Sequence, residues 1–591
     1  MSRSRVWSPR IATLLASAAI VFAACGGATS SPSTAPESTA PSAAPPSEAA
    51  FEARAYPAEG EAPCGQAEAP DADHGVYTGN IKKISTTDAS TVVFELCNPD
   101  VAFLSKIAFT SFAINDSAWL TSHIDPAGTT NQSIVENVNG TGPYKLEAWN
   151  RGSDITMARN DAYWGDKALT ERLIFRWGTE GAQRLVELQS GTVDGIDNVG
   201  ATDFPTVEGN PDLQLKPREG LNTLYYGFNN TFAPFDDPKV REAISLGIDR
   251  DRIVQNFSPP GSIVATHFTP CSIPGGCEGE AWPAFDLARA KELLTEAGYP
   301  DGFETKIQYR DVSRGYAADQ NVLAQDLQQQ LETNLGITAT IEVQESGTFL
   351  DNADQGLLDG IHILGWGADY PDATNFLDYH FGAGSSKQFG NKFDDITGPL
   401  GQAAIGTSDA ERAPFYAQAN DAIRANIPMI PIAHQGSATA WRADVEGAHS
   451  SPLGNEAFAG MKPADRTQFV WMQGAEPPGL YCADETDGEA LRACEQMTEA
   501  LYAYEVGGTK AIPALATECA PDAELSTWTC TLREGVTFHD GATLDANDVL
   551  DTYAVQWDAD HELHLGRDGS FTYFPGLFGG FLNPPPPAPE G

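Results

Sequence analysis

The stretch Thr531-Leu-Arg-Glu-Gly-Val-Thr-Phe-His-Asp-Gly-Ala-Thr-Leu-Asp-Ala-Asn-Asp-Val549 decides the reading of this chain. The residues from Trp528 to Leu532 predict a strand. Gly535 predicts a turn, a short strand follows, and Asp540-Gly541 predicts a second turn. Thr543 or Asp545 then stands where a side-chain oxygen accepts from the free N–H groups of a helix running on to Tyr553. Outward from this stretch, strand-like and helix-like segments alternate. Thr91 to Leu96 reads as a strand, and Ala182 to Gln189 as a helix stopped at Gly191. Leu287 to Ala297 is a helix closed by Gly298-Tyr-Pro300. Asp319 to Asn334 carries Leu323, Leu327 and Leu331 on one stripe, and Ile337 to Val343 alternates as a strand. Such alternation predicts α/β lobes.

The opening stretch resembles the strand–turn–helix block of the family 5 solute-binding proteins, the extracytoplasmic receptors of peptide and nickel ABC importers. Asn139-Gly-Thr-Gly-Pro-Tyr-Lys-Leu146, Arg159-Asn-Asp-Ala-Tyr-Trp-Gly165 and Ser190-Gly-Thr-Val-Asp194 resemble further blocks of that family, as does Pro234 to Val254. Gln468 to Gln473 resembles its first strand, and each block occurs once. In the family the opening block lies near the start of the mature protein; here it lies near the end. The resemblance therefore implies a circularly permuted order and a two-lobed α/β receptor of the periplasmic-binding-protein kind (type II), with lobes hinged to close on ligand. Lobe I is expected to combine residues 61–228 with 441–582, lobe II to span 229–440, and residues 583–591 to form a Pro-rich tail. The hinge strands are expected near Phe228-Asn229 and Ile430 to His434.

At the N-terminus, Arg3, Arg5 and Arg10 precede an apolar run from Ile11 to Ala24, too short to span a bilayer as a helix. The run ends Phe22-Ala23-Ala24-Cys25 and resembles a bacterial lipobox, which makes residues 1–24 a signal peptide and Cys25 the lipidated residue; an ordinary signal peptide with a nearby cysteine is the alternative. Residues 25–60, rich in Ser, Pro and Ala, read as a tether. The chain is thus expected to be exported and anchored to the outer face of the cytoplasmic membrane. Thirty-six basic residues against 81 acidic ones give a net charge of -45, which repels nucleic acid phosphates. The charge does not by itself imply a cationic ligand; solubility or a salty habitat accounts for it. Eight further cysteines, Cys64, Cys97, Cys271, Cys277, Cys482, Cys494, Cys519 and Cys530, favour disulfides in an exported chain. Cys271/Cys277, Cys482/Cys494 and Cys519/Cys530 are the near neighbours and Cys64/Cys97 remains, but sequence alone does not fix the connectivity.

For ligand binding, Gly365-Trp-Gly-Ala-Asp-Tyr-Pro-Asp372 is the informative segment. In peptide-binding members of the family, the acid three residues after this tryptophan pairs with the peptide α-amino group, a position held here by Asp369. Arg314-Gly-Tyr316 resembles the segment where dipeptide receptors place an arginine for the ligand carboxylate and a neighbouring tyrosine. Arg310 competes for that role. Trp366, Gly367 and Tyr226 complete the expected ligand contacts, although aromatics at such positions are more often core. No GxSxG, Walker A or HExxH motif occurs, and His539 is expected to be a turn residue. The expectation is a monomeric, non-enzymatic receptor without cofactor or metal, delivering a peptide or other small solute to ABC permease subunits. A nickel, metallophore or oligosaccharide receptor is the alternative within the family, and an extracellular hydrolase the alternative outside it.

Overall fold

In the computed structural model the opening stretch forms a strand over Thr527–Leu532, left-handed glycines at Gly535 and Gly541, and a helix over Ala546–Trp557. Asp545 caps that helix and Asp548 reaches back to the Asp545 N–H, a reciprocal pair that satisfies backbone donors at the helix start. The structure describes residues 51–586, except 67, 72, 126, 128–130, 311–313 and 318 and the side chains of 346 and 347. Cys25, the expected signal peptide and most of the expected tether lie outside the described residues.

Three sheets carry the fold. Strand Thr527–Leu532 lies between Thr91–Leu96 and Ala516–Pro521 in an antiparallel five-stranded sheet that continues through Ile81–Asp88 to Ala55–Tyr56. The tether expected through residue 60 thus ends earlier, because Ala55–Tyr56 pairs with a neighbouring strand and Arg54 bonds Asp551. A seven-stranded sheet places Gln468–Gln473 at its centre, parallel to both Arg172–Trp177 and Gly195–Ile196. The third sheet, of six strands, contains Asn222–Gly227 between Ile361–Gly367 and Met429–His434.

Buried apolar residues divide in the same way. One cluster runs from Leu221 to Ala433, and the rest draw on residues before and after that span. Among the described residues Tyr370 alone departs from the division, being buried in the other core. The lobe boundary expected at 228/229 therefore moves upstream: Asn222–Gly227 is a strand of the six-stranded sheet, and the chain crosses at Glu219-Gly220-Leu221. It returns at Gln435-Gly436, between strands Met429–His434 and Ser437–Arg442. The two crossings touch. A Cβ on Gly220 would lie 2.2 Å from the Gln435 carbonyl oxygen, an approach only glycine permits. Asn222 donates to the Gln435 carbonyl and accepts from the Gln435 N–H, both at 2.9 Å.

The C-terminal segment is tied back onto residues 75–80. Asn80 N–H donates to the Phe578 carbonyl at 2.6 Å, and Trp557 Nε1 donates to the Tyr77 hydroxyl at 3.2 Å. The expected tail begins docked, since Gly75 N–H donates to the Pro584 carbonyl at 2.8 Å; residues 587–591 lie outside the described residues. Disulfides join Cys64–Cys97, Cys271–Cys277, Cys482–Cys494 and Cys519–Cys530. His539 is a turn residue: its N–H donates to the Gly140 carbonyl, and burial pushes its imidazole down to about 4, so it is neutral.

Candidate functional site

Between the two cores, beside both crossings, lies a cavity of about 380 Å³. The six-stranded side contributes Leu221, Asn222, Gly315, Gly367 and Ala368. Phe109, Leu453, Leu491 and Tyr504 form an apolar wall opposite, while Asp197, Arg218, Glu489 and Arg492 form a charged one.

Of the segment Gly365 to Asp372, Gly367 and Ala368 line this space, and Asp369 follows directly behind them without lining it. Strand Ile361–Gly367 delivers Gly367 to the cavity with nothing within 4 Å of where a Cβ would stand. The turn beyond it is pinned from below, because Asp372 caps helix Ala373–Phe381 and receives two bonds from the buried Arg412, at 2.7 and 2.8 Å. Asn375, in the first turn of that helix, organises the rest. Its Oδ1 accepts from Trp366 Nε1 at 3.1 Å and from the Asp369 N–H at 3.0 Å, and its Nδ2 donates to Asp369 Oδ2 at 3.0 Å. Asp369 Oδ1 forms no hydrogen bond among the described residues. Burial pushes the Asp369 carboxyl up to about 6, and the Asn375 amide only partly opposes this. Its charge is felt by Tyr504 and Tyr573 from the other lobe, whose phenols are raised mainly by burial and further by Asp369. Asp369 is thus a half-buried, half-bonded carboxylate at the junction of the lobes.

The remaining expected contacts separate. Arg314 is exposed on a turn whose next residue, Gly315, lines the cavity. Tyr316 is buried instead, its hydroxyl accepting from Arg310 Nη2 at 3.1 Å and its ring packed against Gly365. Tyr226 is likewise corrected to a core residue: it is fully buried in a strand enclosed on both faces, and its hydroxyl finds no hydrogen-bond partner among the described residues. Trp366 stacks on Tyr379 with ring centroids 4.1 Å apart, so it supports the turn that carries Asp369 and does not line the cavity.

Sequence reading missed the charged floor. Arg218 Nη2 bonds Asp197 Oδ1 at 2.9 Å and Glu456 Oε1 at 2.5 Å. Arg492 bonds the other oxygens of the same two acids, each at 3.0 Å. All four residues are buried. Burial alone would raise Asp197, but Arg492 and Arg218 outweigh it and hold the carboxyl down at about 2. The ring of two cations and two anions spends all four carboxylate oxygens internally and leaves none of them for a ligand. The one sequence signal was the position of Arg218 as the last residue of its strand before the crossing; its partners stand far along the chain. Of the group His267, Cys271 and Cys277, whose ligand atoms lie within 4.8 Å of one another, both sulfurs are spent in a disulfide.

Comparison with known proteins agrees with this architecture. The family described as bacterial extracellular solute-binding proteins, family 5 Middle, matches residues 37–388 and 510–569. Heme-binding protein A of Haemophilus influenzae is 28% identical over 388 residues, 64% of this chain and 70% of that one. The dipeptide-binding protein of Escherichia coli is 28% identical over 386 residues, 64% of this chain and 71% of its own. Among solved structures, HbpA2 from Haemophilus parasuis aligns with a TM-score of 0.59 at 27% identity, over 65% of this chain and 76% of that one. The dipeptide binding protein from Pseudoalteromonas sp. SM9913, in complex with Met-Leu, aligns with a TM-score of 0.54 at 26% identity and the same two coverages. This chain belongs to family 5 of the bacterial extracellular solute-binding proteins.

Proposed function

We propose that this protein captures short peptides between its two lobes and presents them to the permease of an ABC importer. The observation that carries the reading is Asp369. A carboxylate desolvated at a lobe junction, with one oxygen bonded and the other free, is matched by an ammonium group that brings charge and several donors. Related proteins named for dipeptide binding support the choice of ligand. Arg314, beside the cavity-lining Gly315, takes the ligand carboxylate on this reading. Closure follows from linkage: a ligand touching both lobes favours the state in which they meet, and that state docks on the membrane partner. No covalent step is needed. The receptor acts as a monomer, held at the outer face of the membrane by a lipid on Cys25.

The haem reading suggested by Heme-binding protein A finds less support. Among the described residues, those lining the cavity include no His, Cys or Met to serve as an axial ligand, and Tyr504 already donates its hydroxyl to the Ser105 carbonyl. We also read the chain order as circularly permuted. Gln468–Gln473 at the centre of the seven-stranded sheet, and the contacts of Trp557 and Phe578 with Tyr77 and Asn80, support that reading. A gene with residues 467–582 moved ahead of residue 61 should yield a protein of equal peptide affinity; one that cannot fold counts against it. Isothermal titration of the purified protein with Ala-Ala and Met-Leu tests the function itself. Saturable one-to-one binding is expected, and heat-silent titrations with no thermal stabilisation contradict it.

A further inference from the structure

The charged wall of the cavity holds one carboxylate that its neighbours do not neutralise. Glu489 stands in the first turn of helix Gly488–Glu495, half-buried and lining the cavity. Among the described residues it forms no hydrogen bond or ion pair with another side chain. The nearby arginines are committed elsewhere, since Arg218 and Arg492 each bond both Asp197 and Glu456. Burial pushes the Glu489 carboxyl up and Asp487 adds to this, with Arg492 only partly opposing. A further acid, Glu219, lies exposed on the cavity rim.

The shape of the approach adds to the charge. Leu221, Leu453 and Leu491 line the same space, so the cavity offers apolar surface along its length and a carboxylate at its wall. Lysine and arginine side chains have the complementary form, a methylene stem ending in a cation. An acidic side chain there would meet like charge from both Glu489 and Glu219. We infer that Glu489 is a specificity-determining residue, receiving the basic side chain of a lysine- or arginine-containing peptide whose ammonium group sits at Asp369. This inference rests on the peptide reading above and deepens it.

The test is calorimetry with Ala-Ala, Ala-Lys and Ala-Glu on the wild-type protein and on Glu489→Gln. Wild type should bind Ala-Lys about tenfold more tightly than Ala-Ala and bind Ala-Glu most weakly, as one charge-assisted bond implies. In Glu489→Gln the ratio of Ala-Ala to Ala-Lys dissociation constants should shrink to within roughly twofold. Wild type binding Ala-Ala and Ala-Lys alike overturns the inference and leaves the peptide reading standing. A preference for lysine that survives Glu489→Gln overturns the role of this residue. Failure to bind any of the three dipeptides overturns both readings together. The wild-type panel alone decides the basic preference should the variant not fold.

Discussion

The two lobes treat buried charge in opposite ways where they face each other. On one wall Asp197, Arg218, Glu456 and Arg492 close a ring in which every carboxylate oxygen has an arginine. On the opposite side, just behind the cavity-lining Ala368, Asp369 is held by one asparagine and its other oxygen has no hydrogen bond among the described residues. The ring is architecture: it fixes the end of the strand entering the hinge, with Arg218 immediately before the crossing and Arg492 drawing in helix Gly488–Glu495. The lone acid is raised by burial and held by a single amide, at the turn next to the cavity-lining Gly367 and Ala368. Burial of charge is therefore a poor guide to function by itself; the satisfaction of its partners separates the two cases.

Breaking the ring should have the largest effect, and on stability. Asp197→Ala leaves both arginines facing Glu456 alone, and the loss of one member of a buried ionic group costs about 3–5 kcal/mol. Chemical denaturation should show a lower midpoint at constant slope. An unchanged midpoint would mean the ring is not structural.

Removing the lone acid should do the reverse. Asp369→Ala takes one charge-assisted contact from a bound ammonium group, worth about 1.5–3 kcal/mol, so peptide affinity should fall by about one to two orders of magnitude. Calorimetry reads this directly, and a change under about twofold would reduce Asp369 to a turn residue.

The smallest effect is the most diagnostic of a strained acid. The Asp369 carboxyl titrates near 6 in the folded protein against an ordinary 3.8. Folding therefore favours its protonated form, and stability is lost as pH rises from below 3.8 through 6. Asp369→Asn abolishes this loss. The ligand-free variant should be more stable than wild type by about 1–2 kcal/mol at pH 8, after discounting for partial exposure, and should show no such gain near pH 3.5. A variant less stable than wild type at pH 8 would show that the carboxylate is paid for within the fold.

How much of this was legible in the sequence follows from the same contrast. Local features were readable: the helix over Gln320–Leu335 has its cap at Asp319, its left-handed stop at Gly336 and a buried stripe of Leu323, Leu327 and Leu331. The strand and turn that carry Asp369 were readable because Gly365, Trp366 and Gly367 form a recognisable block. Tyr226 was misplaced because every residue from Thr223 to Gly227 is buried, so no alternation tells one face from the other. The same run misplaced the hinge, since a strand buried on both faces does not reveal which sheet it joins. The ring could not be read at all. Asp197 and Arg492 stand 295 positions apart, and nothing local marks either as a partner of the other.

The central claim, that Asp369 anchors the free amine of a peptide, is tested most directly from the ligand side. Ala-Ala and N-acetyl-Ala-Ala differ at the one group in question. Calorimetry on the wild-type protein at pH 7, where the peptide amine is mostly protonated and Asp369 mostly ionised, should find the acetylated peptide bound at least about tenfold more weakly, because its amide brings no charge to Asp369. Equal affinities for the two peptides would contradict the account.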